Sequence, residues 1–206
     1  MSQFFYVHPE NPQGRLMKQA AAMIHDGAVV VYPTDSGYAL GCHMGDKKAL
    51  ERICKIRTLC KDHNFTLLCS DLSQLSEYTQ VDNTAYRLLK NNTPGAYTFI
   101  FKASKEVPKR LLNPKKKTIG IRVPDNAIAQ ALLTELGEPL MSTTLIMPGE
   151  EHAEYDPEHI RDILEHQVDL ILNGGHLGEH PTTVIDLSQG DVEILRVGEG
   201  DASPFE

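Results

Sequence analysis

Apolar positions along the chain follow two patterns, helical spacings of three and four and short unbroken runs, and the two interleave from end to end. Asn11 and Pro12 read as an N-cap and first helical position; Leu16, Ala20, Met23 and Ile24 keep one apolar face, and Gly27 ends the helix. Ala28 to Tyr32 follows at once as a strand buried on both faces. Pro33, Thr34, Asp35 and Ser36 interrupt it where open α/β sheets build their sites, so this stretch is expected to be a turn or a binding loop. Asp46 is expected to cap a second helix with Leu50, Ile53 and Cys54 inward, and Phe65 to Cys69 is the next strand.

Asp82 caps a helix carrying Ala85, Leu88 and Leu89, and Pro94-Gly95 turns "TPGAYTFIFKA" into a strand. "KEVPKRLLNPKKK" is a surface segment ahead of the strand "TIGIRV". Asp125 is expected to cap the helix of Ile128, Ala131, Leu132 and Leu136, which Gly137 closes before the short strand "PLMST". Asp156-Pro157 opens a helix to about Glu165, and "VDLILN", "TTVIDLS" and "VEILRV" are three closing strands, the last two a hairpin around Gln189-Gly190-Asp191. No repeat and no long linker divides the chain, so residues 1–206 are expected to form a single mixed α/β domain, with strand order left open.

Composition is that of an ordinary soluble globular chain, 41% hydrophobic and 23% charged, and adds little to this picture. Cys42, Cys54, Cys60 and Cys69 form no CxxC pair and lie in or beside apolar segments, which favours reduced core thiols over disulfides or a zinc site. No apolar run approaches a membrane span and "MSQFFYVHPE" lacks the regions of a signal peptide, so a cytoplasmic protein without a membrane partner is expected.

Charge changes the picture more. Residues 47–122 hold sixteen of the twenty lysines and arginines but six of the twenty-eight acids, so this stretch is +10 and the rest −18. A basic middle in an acidic chain suggests that the middle meets an anion, although lysines on exposed helix faces would give the same count. The net charge of −8 disfavours a non-specific nucleic-acid coat but leaves room for a local RNA or nucleotide site.

Lys55, Arg57 and Lys61 cluster at the end of the second helix and would suit phosphate oxygens; the alternative is a solvated helix end favoured by the dipole. Arg122 stands between Ile121 and Val123 and must point away from them, either into a polar cavity or into a structural ion pair, and Arg196 repeats the pattern. Ser142, Thr144, Thr182 and Thr183 offer hydroxyls at strand ends, a place where threonine is also a good strand former. No Ser-His-Asp order, HExxH, P-loop or GxGxxG is present, and His176 and His180 fall among glycines with no helix to align them on a metal.

Seven blocks in order, "YPTDSGYALG", "KIRTLCK", "PGAYTFIF", "IGIRVPDN", "PLMSTT", "HPTTVIDLS" and "ILRVGEG", resemble the threonylcarbamoyl-AMP synthase superfamily, YrdC-like, and most of all its YciO branch. The resemblance implies an open twisted mixed sheet flanked by helices and enclosing a basic concave cavity. It implies ATP, bound with Mg2+, L-threonine and bicarbonate as ligands, and formation of threonylcarbamoyl-adenylate for the t6A modification of tRNA, with other proteins of that pathway as partners. In register with the family, Lys55, Arg57 and Lys61 would hold phosphates, and Arg122 would hold a carboxylate. Thr34, Ser142 and Thr182 would contact substrate, and Thr144 and Arg196 the nucleotide. This chain departs from the pattern at Thr58, where a proline is usual, at the extra Asp62-His63-Asn64, at Asp35, where a glutamate is usual, and at Ser142-Thr143-Thr144, which replaces S-x-N. These departures point to weakened or altered synthase activity. The alternative is a non-catalytic protein that uses the same basic cavity to bind double-stranded RNA or tRNA, with Lys109, Arg110, Lys115, Lys116 and Lys117 as its contacts.

Overall fold

The computed structural model describes residues 1–59 and 63–206. Among the described residues, ten strands and six α-helices make one mixed sheet flanked by helices. The strands are β1 (Gln3–Tyr6), β2 (Val30–Thr34), β3 (Gly37–His43), β4 (Thr66–Leu68), β5 (Tyr97–Lys102), β6 (Thr118–Arg122), β7 (Leu140–Thr144), β8 (Leu170–Asn173), β9 (Thr183–Asp186) and β10 (Glu193–Arg196). The helices are α1 (Gly14–His25), α2 (Lys47–Arg57), α3 (Leu72–Tyr78), α4 (Asn83–Asn92), α5 (Ala127–Leu136) and α6 (Pro157–Leu164). The sheet is open, in the order β1-β8-β2-β3-β7-β4-β6-β5-β9-β10.

Local chemistry explains most element boundaries. Asp46, Asp82 and Asp156 cap α2, α4 and α6 as expected, each accepting backbone N–H groups that the first helical turn cannot pair. Other boundaries differ from expectation. The first helix starts at Gly14 rather than Pro12, because His8 Nδ1 accepts the N–H groups of Glu10 and Asn11 and holds residues 8–13 in a turn. Asn126, not Asp125, caps α5: its Oδ1 accepts from Ile128 and Ala129 at 3.0 Å, while the Asp125 N–H donates to Asp35 Oδ2.

The largest correction lies at residues 33–43. Pro33 and Thr34 belong to β2 itself, beyond the Val30 and Val31 pairs with β8, where a missing N–H is tolerated. Asp35 and Ser36 form a two-residue turn into β3, which pairs with β2 from Thr34↔Gly37 to Val30↔Gly41. Two glycines had obscured that strand, and β1 and α3 were also not anticipated. The β9–β10 hairpin is present, antiparallel and bulged at Leu195.

One face of the sheet, carrying Val31, Leu40, Leu67, Phe99, Ile121 and Met141, forms a continuous apolar core with residues of α2, α3, α4 and α6. The opposite face is covered only in part. Val30, Tyr32, Ala39, Leu68 and Leu140 pack there under α1 and α5 through Met17, Ile24, Leu132 and Leu136. Beyond Leu140 of β7 and Leu68 of β4 that covering stops.

Candidate functional site

Beyond α1 and α5 the uncovered face becomes a cavity of about 400 Å³. Strand register builds its floor. Ser142 of β7 pairs with Thr66 of β4, Thr66 with Gly120 of β6, Gly120 with Ile100 of β5, and Ile100 with Asp186 of β9. Directly paired residues point to the same side, so these five positions form one row across the floor. Arg122, two residues from Gly120, therefore points to the cavity while Ile121 and Val123 enter the core. Gly120 keeps the floor low: a Cβ there would stand 2.9 Å from Thr66 Oγ1.

The structure brings Arg57, Arg122, Ser142, Thr144, Thr182 and Arg196 together around this cavity, with Lys116 at its wall. Arg122 is buried and its Nη2 is bound to Asp35 Oδ1, while its buried Nε has no partner among the described residues. Ion pair and cavity position, two readings left open by the sequence, thus coexist. Arg57 Nε donates to the Thr144 carbonyl at 2.8 Å. Arg196 donates through Nε to the Thr182 carbonyl at 2.9 Å and through Nη2 to Thr182 Oγ1 at 3.1 Å; Thr182 Oγ1 in turn lies 2.8 Å from Thr98 Oγ1.

Burial lowers the pKa of both Arg57 and Arg196, and for Arg196 the charge of Arg122 adds to it. Asp186 Oδ2 lies 3.9 Å from Lys116 Nζ. Among the described residues, then, four cations and one carboxylate line the cavity: Asp186 is engaged with Lys116, and Asp35, off the lining, with Arg122, whereas Arg57 and Arg196 hold only neutral oxygens.

Other candidates lie elsewhere. Lys55 is exposed on the last turn of α2 and does not line the cavity. Lys61 lies outside the described residues, as does Cys60. The Thr34 hydroxyl is buried in the β2–β3 turn, donating to the Gly37 carbonyl at 2.7 Å and accepting from Ser36 N–H at 3.1 Å. Lys109, Arg110, Lys115 and Lys117 sit outside the cavity, and Arg110 donates to the carbonyls of Met44 and Gly45.

Residue-type reasoning passed over His63, Asn64, Thr66, Thr98, Asn113 and Thr118 as site residues, and all of them line the cavity. His63 Nε2 is 3.0 Å from Thr143 Oγ1, and burial together with Arg57 pushes its pKa from 6.5 to about 4, so it is neutral at pH 7. Neutral side chains in loops and alternate strand positions carry no signal until the strand order is known.

Among the described residues, one group with metal-ligating chemistry, His25, His43 and Glu138, lies away from the cavity with its ligand atoms within 4.8 Å of one another. The Gly45 N–H donates to His43 Nδ1 at 2.9 Å, so the neutral ring keeps its proton on Nε2, which faces Glu138 Oε1 at 2.6 Å. Both imidazoles thus approach Glu138 Oε1 at ion-pair distance, His25 Nδ1 at 3.5 Å, while that oxygen has no hydrogen-bond partner among the described residues.

The family model for Sua5, YciO and YrdC proteins, described as "Telomere recombination", matches residues 22–198. The chain belongs to the Sua5/YciO/YrdC family. Within this family it is similar to YciO of Escherichia coli, whose crystal structure it matches at 63% identity and a TM-score of 0.97 over 100% of both chains. It is 30% identical over 187 residues to the threonylcarbamoyl-AMP synthase of Vibrio vulnificus, covering 88% of this chain and 98% of that one. The crystal structure of P. abyssi Sua5 complexed with L-threonine shares the fold, with a TM-score of 0.87 at 24% identity, across 96% of this chain and 58% of that one. No helix among the described residues is long and apolar enough to cross a membrane.

Proposed function

We propose that this Sua5/YciO/YrdC protein binds ATP and L-threonine in the cavity and forms threonylcarbamoyl-adenylate from threonine, bicarbonate and ATP. The observation that carries this reading is the pair of guanidiniums, the partly buried Arg57 and the more exposed Arg196, that line the cavity with only neutral oxygens as partners. Cations without a counter-charge favour an anion that can fork onto them, and a triphosphate fits.

In this reading the threonine amine captures bicarbonate as a carbamate with loss of water. A carbamate oxygen then attacks the α-phosphorus of ATP, forming the mixed anhydride with AMP and releasing pyrophosphate. Such a reaction needs neutralised phosphates and in-line placement rather than an enzyme nucleophile. Arg57, Arg196 and Lys116 would neutralise phosphates in what we read as a basic cavity. Arg122 would take the threonine carboxylate, and Ser142, Thr144 and Thr182 would bond the remaining oxygens. Thr34 in this scheme braces the turn that presents Asp35 to Arg122. Asp186, the one carboxylate on the described lining, is tied to Lys116 and to the Ser188 N–H, so Mg2+ fits as ATP's own counter-ion rather than as an ion held by a protein cage. The product would serve t6A modification of tRNA in the cytoplasm with other proteins of that pathway.

The test is pyrophosphate release by the purified protein with ATP, Mg2+, threonine and bicarbonate, each omitted in turn. Release that requires both threonine and bicarbonate is expected. No release from the folded protein would overturn the reading and favour phosphate-backbone binding of double-stranded RNA or tRNA by Lys109, Lys115, Lys116 and Lys117.

A further inference from the structure

Behind the cavity floor, the fully buried Tyr32 reaches Ser142 from two strands away: its hydroxyl is hydrogen-bonded to Ser142 Oγ. The ring passes over Gly41 of the intervening strand β3, where a Cβ would come within 2.8 Å of Tyr32 Cε1, so the bridge depends on a glycine at that position. We propose that Tyr32 is a positioning residue that makes Ser142 present its own proton to an anionic ligand oxygen. The inference rests on the reading above that the cavity holds an anionic ligand.

The argument is an accounting of two protons. Each hydroxyl carries one proton and can accept, and the contact between them uses one of the two protons. Ser142 lines the cavity, so its proton can turn to ligand or water; Tyr32 does not line it, and Ser142 is its hydroxyl's one hydrogen-bond partner among the described residues. Were Ser142 the donor, the phenol proton would be left buried without an acceptor, which is the costlier arrangement. Burial also pushes the phenol pKa up to about 12, so the proton stays on Tyr32 at working pH. The Tyr32 O–H therefore donates, and the Ser142 O–H is released toward the cavity. A serine held this way favours phosphate or carboxylate oxygens over a ligand group that must itself donate.

Calorimetric binding of ATP and of L-threonine by the wild-type protein, Tyr32→Phe, Ser142→Ala and the double variant tests this. Loss of one hydrogen bond to an anion should weaken binding of one of the two ligands by about three- to tenfold in either single variant. The double variant should be no weaker than Ser142→Ala, because Tyr32 acts only through Ser142. Single-variant losses that multiply in the double variant, or unchanged binding in Tyr32→Phe, would overturn the proposal. A second readout needs no ligand: the Tyr32 hydroxyl proton, seen by NMR and absent in Tyr32→Phe, should exchange slowly with water and exchange faster in Ser142→Ala. Equal exchange with and without Ser142 overturns the bond direction. A wild-type protein that binds neither ATP nor threonine overturns the cavity reading alone, and the NMR result then still decides the relay.

Discussion

The same face of one sheet serves two purposes in this protein. Across β2, β3 and the start of β7 it carries Val30, Tyr32, Ala39 and Leu140, and α1 and α5 lie on it. Across β7, β4, β6, β5 and β9 the row in register reads Ser142, Thr66, Gly120, Ile100 and Asp186, and the face is left as a cavity. Strand pairing is continuous through both halves. Side-chain volume and polarity along one row of the sheet, rather than any change of backbone, decide where a helix docks and where a ligand could sit.

If this contrast is correct, damage to the two halves should register in different measurements. Leu132→Ala, on the buried face of α5 in the packed half, should cost about 2–5 kcal/mol of unfolding free energy by denaturant titration while leaving ligand contacts intact. Arg122→Lys keeps a positive charge beside Asp35 but removes the planar fork; pyrophosphate release should fall about 10²-fold, with a smaller loss of stability than Leu132→Ala causes. Gly120→Val would fill the floor of the open half, and ATP or threonine binding should weaken about tenfold or more while circular dichroism remains that of the parent. Unchanged binding in this variant would place the ligand elsewhere.

The smallest effect concerns pH. His63 has its folded pKa lowered from 6.5 to about 4, so the unfolded chain takes up the proton first as pH falls. Stability should be unaffected by His63 above about pH 6.5 and decline between there and about pH 4, and His63→Asn should flatten that part of a Tm-versus-pH curve. Because His63 is partly exposed, the difference will be modest.

Arg122 was legible as a cavity residue because period-two alternation depends only on its neighbours Ile121 and Val123. The caps Asp46, Asp82 and Asp156 were legible for a similar reason, since a capping bond joins residues two or three apart. Asp125 was misread as a cap because its N–H partner, Asp35, is ninety residues away. Arg57 was legible from the basic end of its helix and Arg196 from strand alternation, but that their guanidiniums rest on the Thr144 and Thr182 carbonyls required the distances. Thr66, Thr98, Gly120 and His63 gave no local sign at all.

Taken alone, the sequence determined a mixed α/β chain, most of its helices, the apolar faces that bury them, and seven blocks in family order, all of which follow from spacings short enough to read along the chain. Only the tertiary structure decided that β7 lies between β3 and β4 and that β6 is followed by β5 and β9, which lines up Ser142, Thr66, Gly120, Ile100 and Asp186. A strand's alternation says which residues share a face; which strand lies beside it is a long-range choice of register, and the cavity exists only once that choice is made.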